Sequence, residues 1–166
     1  MDKLWAPWRL EYIVNAADSE EECIFCSKPR EKKDEENLIL YRAKHSFVIL
    51  NKYPYNNGHL MVVPYLHESD PTRLSDPILL DLAHTLNLAI LAVRKAMYPH
   101  GMNIGINIGR TAGAGIDEHL HYHLVPRWNG DTNFMPILTD VKVVSESLKS
   151  SHCRLTAAFK EIQKNK

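Results

Sequence analysis

The strongest constraint on the fold comes from a short stretch in which histidines alternate with apolar side chains. Residues 119–125 have the sequence His-Leu-His-Tyr-His-Leu-Val. Successive side chains of a β-strand point to opposite faces of a sheet, so this alternation predicts a strand with one face packed on a core. The other face would carry His119, His121 and His123 at intervals of about 7 Å. That spacing alone leaves four roles open: a solvated strand face, an anion site, a metal site, or a nucleophile with its partners.

The rest of the chain predicts an antiparallel α+β domain. Apolar residues recur every three or four positions from Leu79 to Met97, which is typical of one amphipathic helix, and a weaker helical period follows over residues 141–166. The order β-β-β-α-β-β with a terminal helix favours an antiparallel sheet. We expect the charge-rich residues 18–37 to form an exposed loop, apart from two cysteines. Four further runs have strand-like composition, at residues 38–41, 47–50, 59–64 and 103–109.

Composition limits the classes of function. The 166 residues carry 20 Lys and Arg against 20 Asp and Glu, so the formal net charge is zero and long nucleic acid is not an expected partner. No apolar stretch approaches the roughly 18 residues of a membrane span, and residues 1–8 lack the apolar segment of a signal peptide. Three cysteines suit a reducing compartment better than a disulfide framework. We therefore expect a single-domain cytoplasmic protein that does not bind membranes.

Neighbouring residues favour chemistry on the histidine strand over a solvated face. Gly113 and Gly115 precede the strand and can offer backbone N–H groups, which suit a phosphate. His59 follows Gly58 at the start of another predicted strand and could add a fourth imidazole to the same face. Together these residues predict a site for an anionic ligand.

Cys23 and Cys26 form a C-x-x-C motif, for which three interpretations compete. A thioredoxin-like redox pair would need a βαβ context, which a charged stretch before a hairpin does not supply. Two idle thiols are the second interpretation, and a structural zinc with two more ligands is the third. His67, just beyond the third predicted strand, and His119 are the candidates for those two ligands.

These residues resemble the histidine triad (HIT) family, whose motif is His-φ-His-φ-His-φ-φ with φ apolar. Residues 119–125 match every position of the motif. The blocks at 46–51, 58–64 and 103–127 are also similar to family blocks, so the resemblance covers about residues 20–130. Pro126-Arg127-Trp128 and Gly130-Asp131 look like the branch that contains the fragile-histidine-triad proteins and the bacterial diadenosine polyphosphate phosphorylases and hydrolases.

The resemblance implies a HIT-like α+β fold, with a five-stranded antiparallel sheet packed by one long helix plus a C-terminal helix. It implies one HIT domain over residues 1–166, with a core at about 20–130, an N-terminal arm at 1–19 and a helical tail at about 141–166. Family members usually form homodimers, so we expect a homodimer. Zinc-bearing members use a C-x-x-C motif, a histidine after the third strand and the first triad histidine. A structural zinc is therefore implied on Cys23, Cys26, His67 and His119.

The resemblance also implies a chemistry. His121 would attack the α-phosphorus of a nucleotide substrate and form a nucleotidyl-histidine intermediate, which water or inorganic phosphate resolves without a catalytic metal. His123 and His59 would stabilise charge on the non-bridging oxygens. Asn51 would hold the ribose, and Asn107 would lie near the phosphates. The implied catalytic set is His121, His123, His59 and His119, and the implied nucleotide-binding set is Asn51, Gly58, Asn107, Gly113 and Gly115.

For substrates, the resemblance favours diadenosine polyphosphates, cleaved by hydrolysis or phosphorolysis. Two alternatives stay open: hydrolysis of adenosine phosphoramidates, in which an amine leaves, and a non-catalytic nucleotide-binding sensor. Many family members carry Gln and Ser or Thr a few residues before the triad, where this chain has Gly113-Ala-Gly-Ile116. The resemblance therefore does not fix the group that protonates the leaving atom.

Overall fold

A computed structural model describes residues 22–131 and 146–164. The predicted arm at 1–19 and the start of the predicted tail helix lie outside the described residues. Short 3-10 turns at Pro71–Arg73 and Arg110–Ala112 interrupt the connections around the long helix and the last strand. The helices and strands of the described ranges are, in chain order, α1 (Ile24–Arg30), β1 (Ile39–Arg42), β2 (Ser46–Leu50), β3 (Leu60–Pro64), α2 (Asp76–Met97), β4 (Gly101–Ile106), β5 (Tyr122–Arg127) and α3 (Leu148–Lys164).

Five strands form one antiparallel sheet in the order β1-β2-β3-β5-β4. The first three strands follow one another directly, whereas α2 carries the chain to β4 at the far edge and β5 returns between β3 and β4. Ile49 pairs with Met61, and Met61 pairs with His123. Directly paired residues share a face, so these three side chains form one row across the sheet. The predicted fold class is confirmed.

The long predicted helix, α2, covers one face of the sheet together with α3. Pro77 lies in its first turn, where a missing N–H costs nothing, and Tyr98 ends it in the left-handed conformation with a φ of 50°. Leu82, Ala89 and Val93 are buried in one cluster with side chains from β2, β3 and β5. The apolar stripe of α2 is therefore core packing, as its period predicts.

The hydropathy of α2 differs from our expectation that no apolar stretch is long enough to span a membrane. An 18-residue window of this helix has a mean hydropathy of 1.4, so α2 is long and apolar enough to cross a membrane by length and composition alone. The core helix of a soluble protein passes the same test. Because Leu82, Ala89 and Val93 pack against the sheet, we interpret α2 as a core helix.

The opposite face of the sheet is covered by α1, in a segment where we expected a loop. Phe25 is 1% exposed and Pro29 is also buried. The expectation of an exposed loop was therefore wrong for residues 24–30. A seven-residue helix is marginal by itself, so it is tertiary burial of Phe25 that stabilises α1. Phe25 packs in a second apolar cluster with Ile39, Phe47, Ile49, Met61 and Val63.

The histidine stretch enters the sheet later than we expected. Strand β5 begins at Tyr122, so His119 and His121 precede it, and the Leu120 N–H donates instead to the backbone oxygen of Glu68 over 2.7 Å. The predicted alternation nevertheless holds, because Leu120, Tyr122 and Leu124 pack in the cluster beneath α2. The rings of His119 and His121 lie on the other side, against Phe25 of α1.

Candidate active site and metal cluster

A cavity of about 300 Å³ lies between α1, the end of β2 and the histidine strand. Apolar side chains form most of its wall, and lysine, asparagine, tyrosine and histidine side chains add polar groups, a combination that suits a small organic ligand with charged groups. No Asp or Glu occurs among the described residues that line it. The lining includes Ile24, Phe25, Lys28, Ile49, Asn51, Lys52, Tyr55, Met61, Gly113, Gly115, Ile116, His121 and His123.

Hydrogen bonds fix the tautomers of His59 and His123. The Tyr55 N–H donates to Nδ1 of His59 over 3.1 Å, so neutral His59 carries its hydrogen on Nε2. This Nε2 lies 2.9 Å from Nδ1 of His123 and therefore donates to it. Neutral His123 then carries its own hydrogen on Nε2. Because His123 lines the cavity, that N–H is a donor suited to a ligand oxygen.

His121 has the opposite tautomer. Its Nδ1 lies 2.8 Å from the backbone oxygen of His119, and a carbonyl oxygen can only accept, so the Nδ1–H donates. Nε2 of His121 is therefore the nitrogen with the lone pair, which a nucleophile requires. Burial lowers the pKa of His121, against the opposing effect of its hydrogen bond to the His119 carbonyl. The imidazole is thus held neutral and nucleophilic at neutral pH.

The structure brings most of the predicted nucleotide-binding residues to this cavity. Asn51, Gly113 and Gly115 line it. Asn107 lies next to this rim, with Nδ2 3.9 Å from the position that a Cβ on Gly113 would take. Gly58 is not a lining residue. It adopts a φ of +69° with Met97 against it, so its part is the tight turn that precedes His59.

The four predicted metal ligands form a cluster beside the cavity. The ligand atoms of Cys23, Cys26, His67 and His119 all lie within 4.8 Å of one another. Sγ of Cys23 is 3.4 Å from Nδ1 of His119, and Sγ of Cys26 is 3.3 Å from Nδ1 of His67. A tetrahedral zinc ion with bonds of about 2.3 Å to sulfur and 2.0 Å to nitrogen separates such atoms by about 3.5 Å. The residues therefore fit a structural zinc, and this set of four leaves no open coordination position.

His119 joins the metal cluster to the catalytic histidine. Its Nε2–H donates to the Pro64 carbonyl over 2.9 Å, so Nδ1 turns a lone pair towards the two sulfurs. Burial lowers the pKa of His119 to about 4, which keeps the ring in the neutral form that binds metal. The His119 side chain is not part of the cavity lining. It acts on the cavity through its carbonyl, which accepts from His121.

Two further groups around α1 have shifted pKa values. Burial and then the neighbouring Cys23 raise the pKa of the Cys26 thiol, so the thiol stays protonated until a cation favours the thiolate. Burial and then the charge of Lys52 lower the pKa of Lys28. Two like charges therefore lie near each other at a cavity whose lining has no carboxylate. Such a cavity favours an anionic or acceptor-rich ligand.

Comparison with known proteins agrees with this geometry. The family model described as "HIT domain" matches residues 32–130, which is more than half of the chain. The chain belongs to the HIT family. The "AP-4-A phosphorylase" of Mycobacterium tuberculosis is similar to this HIT protein, with 38% identity over 157 residues that cover 91% of this chain and 80% of that protein.

Solved structures of HIT proteins share the fold. A Zn-bound histidine triad family protein from Mycobacterium smegmatis has a TM-score of 0.70 and 25% identity, covering 87% of this chain and 98% of that chain. A hypothetical histidine triad nucleotide-binding protein from Sulfolobus tokodaii has a TM-score of 0.66 and 31% identity, covering 86% and 93%. The predicted family is confirmed, and the zinc-bound relative agrees with the cysteine and histidine cluster described above.

The sequence did not lead us to expect that α1 forms one wall of the cavity. Ile24, Phe25 and Lys28 line it, and the ring of Phe25 lies 5.1 Å from the ring of His121. A signal was present, because Ile24 and Phe25 are two apolar residues between the cysteines of an otherwise charged stretch. Since Cys23 and Cys26 would both bind the metal, the motif that holds the metal also places this wall.

Proposed function

We propose that this HIT protein cleaves dinucleoside polyphosphates at the α-phosphorus by nucleotidyl transfer through His121. The observation that carries the proposal is the tautomer of His121, whose Nε2 lone pair belongs to a neutral imidazole at the cavity. A cavity of about 300 Å³ suits one nucleoside monophosphate. The relative from M. tuberculosis, named for an AP-4-A phosphorylase, supports the substrate class.

The first step transfers a nucleotidyl group to the protein. Nε2 of His121 attacks the α-phosphorus in line, and the bond from phosphorus to the bridging oxygen breaks with its electron pair on the leaving nucleoside polyphosphate. The His121 Nδ1–H stays bonded to the His119 carbonyl, which stabilises the cationic ring of the intermediate. The His123 Nε2–H stabilises charge on a non-bridging oxygen. His59, which we expected at the non-bridging oxygens as well, is buried outside the cavity lining and instead holds His123 in that tautomer.

The second step releases the nucleotide and restores His121. Water or inorganic phosphate attacks the same phosphorus, the bond from phosphorus to Nε2 breaks with its electron pair on the nitrogen, and the ring returns to its neutral form. When water is the acceptor, it loses one proton to the solvent as the new bond from oxygen to phosphorus forms. Asn51 would hold the ribose, while Gly113 and Gly115 would present backbone N–H groups to the phosphates, with Asn107 beside them. A zinc ion on the cysteine and histidine cluster would supply structure and no open position for substrate.

The residues before the triad favour a phosphate over an amine as the leaving group. A leaving amine must gain a proton as its bond to phosphorus breaks, whereas a terminal phosphate, with a second pKa of about 6, leaves as an anion. Residues 113–116 have the sequence Gly-Ala-Gly-Ile, which offers no side chain that could donate that proton. Dinucleoside polyphosphates therefore fit this site better than phosphoramidates.

Product analysis with diadenosine tetraphosphate tests the proposal and identifies the acceptor. With inorganic phosphate present, a phosphorylase gives ADP and ATP, because phosphate takes the nucleotidyl group from His121. Without phosphate, an asymmetric hydrolase gives AMP and ATP. Chromatography of both reactions separates the two cases. If neither reaction gives product while adenosine phosphoramidate is hydrolysed, the phosphoramidate function replaces the proposed one, and binding without any turnover would favour a sensor.

We also propose that the protein is a homodimer in which α2 and β4 of two copies meet. β4 is an edge strand of the sheet, and an unpaired strand edge favours pairing with another chain. Leu91 of α2 is 47% exposed and Ile104 of β4 is 43% exposed. Exposed apolar residues next to an open strand edge are typical of a subunit interface.

Replacing both Leu91 and Ile104 by glutamate is expected to convert the dimer to a monomer, because four buried charges would then face one another across the two-fold interface. Sedimentation velocity measures the change. Leu66→Glu is the matched control, since Leu66 is 48% exposed and lies outside α2 and β4. A doubly substituted protein that still sediments as a dimer would place the interface elsewhere.

We also propose that the protein is a single domain located in the cytoplasm. The two apolar clusters of the described residues lie on the two faces of one sheet, which supports a single domain. Three cysteines, two of them ligands in the zinc cluster, suit a reducing compartment better than a disulfide framework.

A further inference from the structure

The cavity has two chemically different ends. His123, Met61 and Ile49 lie in one row on three neighbouring strands. Adjacent strands are about 4.8 Å apart, so Ile49 lies about 10 Å from His123. That span matches the length of a nucleoside monophosphate. With its phosphate at His121 and His123, the base of such a ligand would reach the end of the cavity near Ile49.

Apolar side chains enclose this second end, as a planar base requires. Ile24 and Phe25 of α1 line the cavity on one side, and Ile49 and Met61 line it from the sheet. Phe25 is 1% exposed and Met61 is 7% exposed, so both surfaces are held in place by the core. A base between them would be shielded from water, and its polar edge would then need a protein partner.

Lys28 lines the α1 wall of the same cavity and can supply that partner. It follows Phe25 by three residues and Ile24 by four, so the three side chains share one side of α1, and all of them line the cavity. Because the Phe25 ring contacts His121, Lys28 lies one helical turn away from that contact. Within residues 22–131 and 146–164, no carboxylate lies within ion-pair distance of Lys28 or Lys52, and Glu31 acts on Lys28 only through its charge at longer range. Lys52 lies instead over the Tyr53 ring, 5.6 Å from its centroid.

A lysine side chain is a donor only, and this makes it selective between bases. Guanine and hypoxanthine present two acceptors on one edge, O6 and N7, and lysine is a common partner for that pair. Adenine presents N7 beside an amino group, which is itself a donor and cannot accept from an ammonium group. A lysine at this edge therefore favours 6-oxopurines.

We propose that Lys28 contacts the edge of the bound base and gives the cavity a preference for 6-oxopurine nucleotides over adenine nucleotides. The inference rests on the proposed function, because it places the transferred nucleotidyl group in this cavity. It extends the substrate class from diadenosine polyphosphates to dinucleotides that contain guanine. The M. tuberculosis relative is named for an adenine substrate, so this preference would be a property of this chain's own residue.

Titration calorimetry with IMP and AMP tests the inference, because the two nucleotides differ at the 6 position of the base. The zinc-replete protein is expected to bind IMP roughly tenfold more tightly than AMP. Lys28→Met should reduce that ratio to about one, and Lys28→Arg should keep a preference for IMP. Lys52→Met is the matched control, because it removes the same charge from the cavity lining. It should weaken the binding of IMP and of AMP equally, so the ratio of the two affinities should stay unchanged.

Several outcomes would overturn the inference. One is a wild-type protein that binds AMP as tightly as IMP, and another is a Lys28→Met variant that keeps the wild-type ratio. A third outcome would be seen in titrations with adenosine 5′-tetraphosphate. If Lys28→Met weakens this ligand strongly and leaves AMP and IMP unchanged, Lys28 binds distal phosphates and not the base.

Binding and turnover assays on the same wild-type and variant proteins distinguish a failure of this inference from a failure of the proposed function. Preference for IMP that depends on Lys28, without turnover of diadenosine or diguanosine tetraphosphate, would support the inference and contradict the proposed function. Turnover of both dinucleotides at equal kcat/KM, with no effect of Lys28→Met on their ratio, would support the proposed function and contradict the inference.

Discussion

Replacing His121 by asparagine is expected to lower turnover of diadenosine tetraphosphate by roughly 10⁴-fold or more, the scale seen when a catalytic nucleophile is removed. The asparagine amide can still donate to the His119 carbonyl that now accepts from His121. Its nitrogen has no lone pair available for attack on phosphorus, so the covalent step is lost. AMP affinity should stay within about threefold of wild type, because binding depends on the cavity wall and on His123. Steady-state rates and titration calorimetry measure the two effects.

His84→Asn is the matched control for this substitution. It makes the same chemical change at an exposed position on α2, and it should leave turnover and binding unchanged. Intact-mass analysis of wild-type protein stopped during turnover is expected to show one added nucleotidyl group, which His121→Asn should lack. A His121→Asn protein that turns over at the wild-type rate would exclude His121 as the nucleophile.

The alternation at 119–125 allowed the faces on which these side chains lie to be predicted, because a strand has a period of two residues. Whichever way the strand packed, Leu120 and Leu124 would face the core, and His121 and His123 would share the other face. The exact start of β5 was not predictable, since it depends on the hydrogen bond from Leu120 to Glu68, which is remote in sequence. Boundaries of this kind are decided by tertiary contacts and leave no local pattern.

The sequence also did not predict α1, and the physical reason differs from the one that applies to the start of β5. A seven-residue helix with one lysine, one arginine and a proline has no helical period to detect. It exists because Phe25 is buried against β2 and β3, and sequence alone does not show that this phenylalanine reaches the sheet. The cavity wall and Lys28 were missed together with it. The tautomers of His59, His121 and His123 likewise depend on backbone partners that only the folded chain supplies.

Removing the two cysteine ligands is expected to have the largest effect on stability. A closed zinc site contributes several kcal/mol to folding, and each kcal/mol shifts the melting temperature of a chain this size by about 2–4 °C. Cys23→Ser combined with Cys26→Ser should therefore lower the melting temperature by about 10 °C and remove about one equivalent of bound zinc. Calorimetry and elemental analysis measure these changes. Cys153→Ser is the matched control, because Cys153 is exposed on α3 and outside the cluster.

The same substitutions should weaken nucleotide binding, although neither cysteine lines the cavity. Ile24, Phe25 and Lys28 of the wall belong to the helix that Cys23 and Cys26 would anchor to His67 and His119. Without the metal, α1 keeps the burial of its apolar side chains and the hydrogen bonds that Asn37 and Arg42 donate to its carbonyls, but it loses its attachment to His67 and His119. Part of the binding energy must then be used to order it. We expect AMP affinity to fall about tenfold, the usual size of coupling between two sites.

This coupling has a reciprocal consequence that does not depend on any variant. If zinc raises AMP affinity by some factor, AMP must raise zinc affinity by the same factor. Competition with a chromogenic chelator, with and without saturating AMP, is expected to show slower and weaker zinc extraction when AMP is bound. Equal zinc affinity in the two conditions would mean that α1 is equally ordered with and without the metal, and that the metal cluster stabilises the fold without acting on the nucleotide cavity.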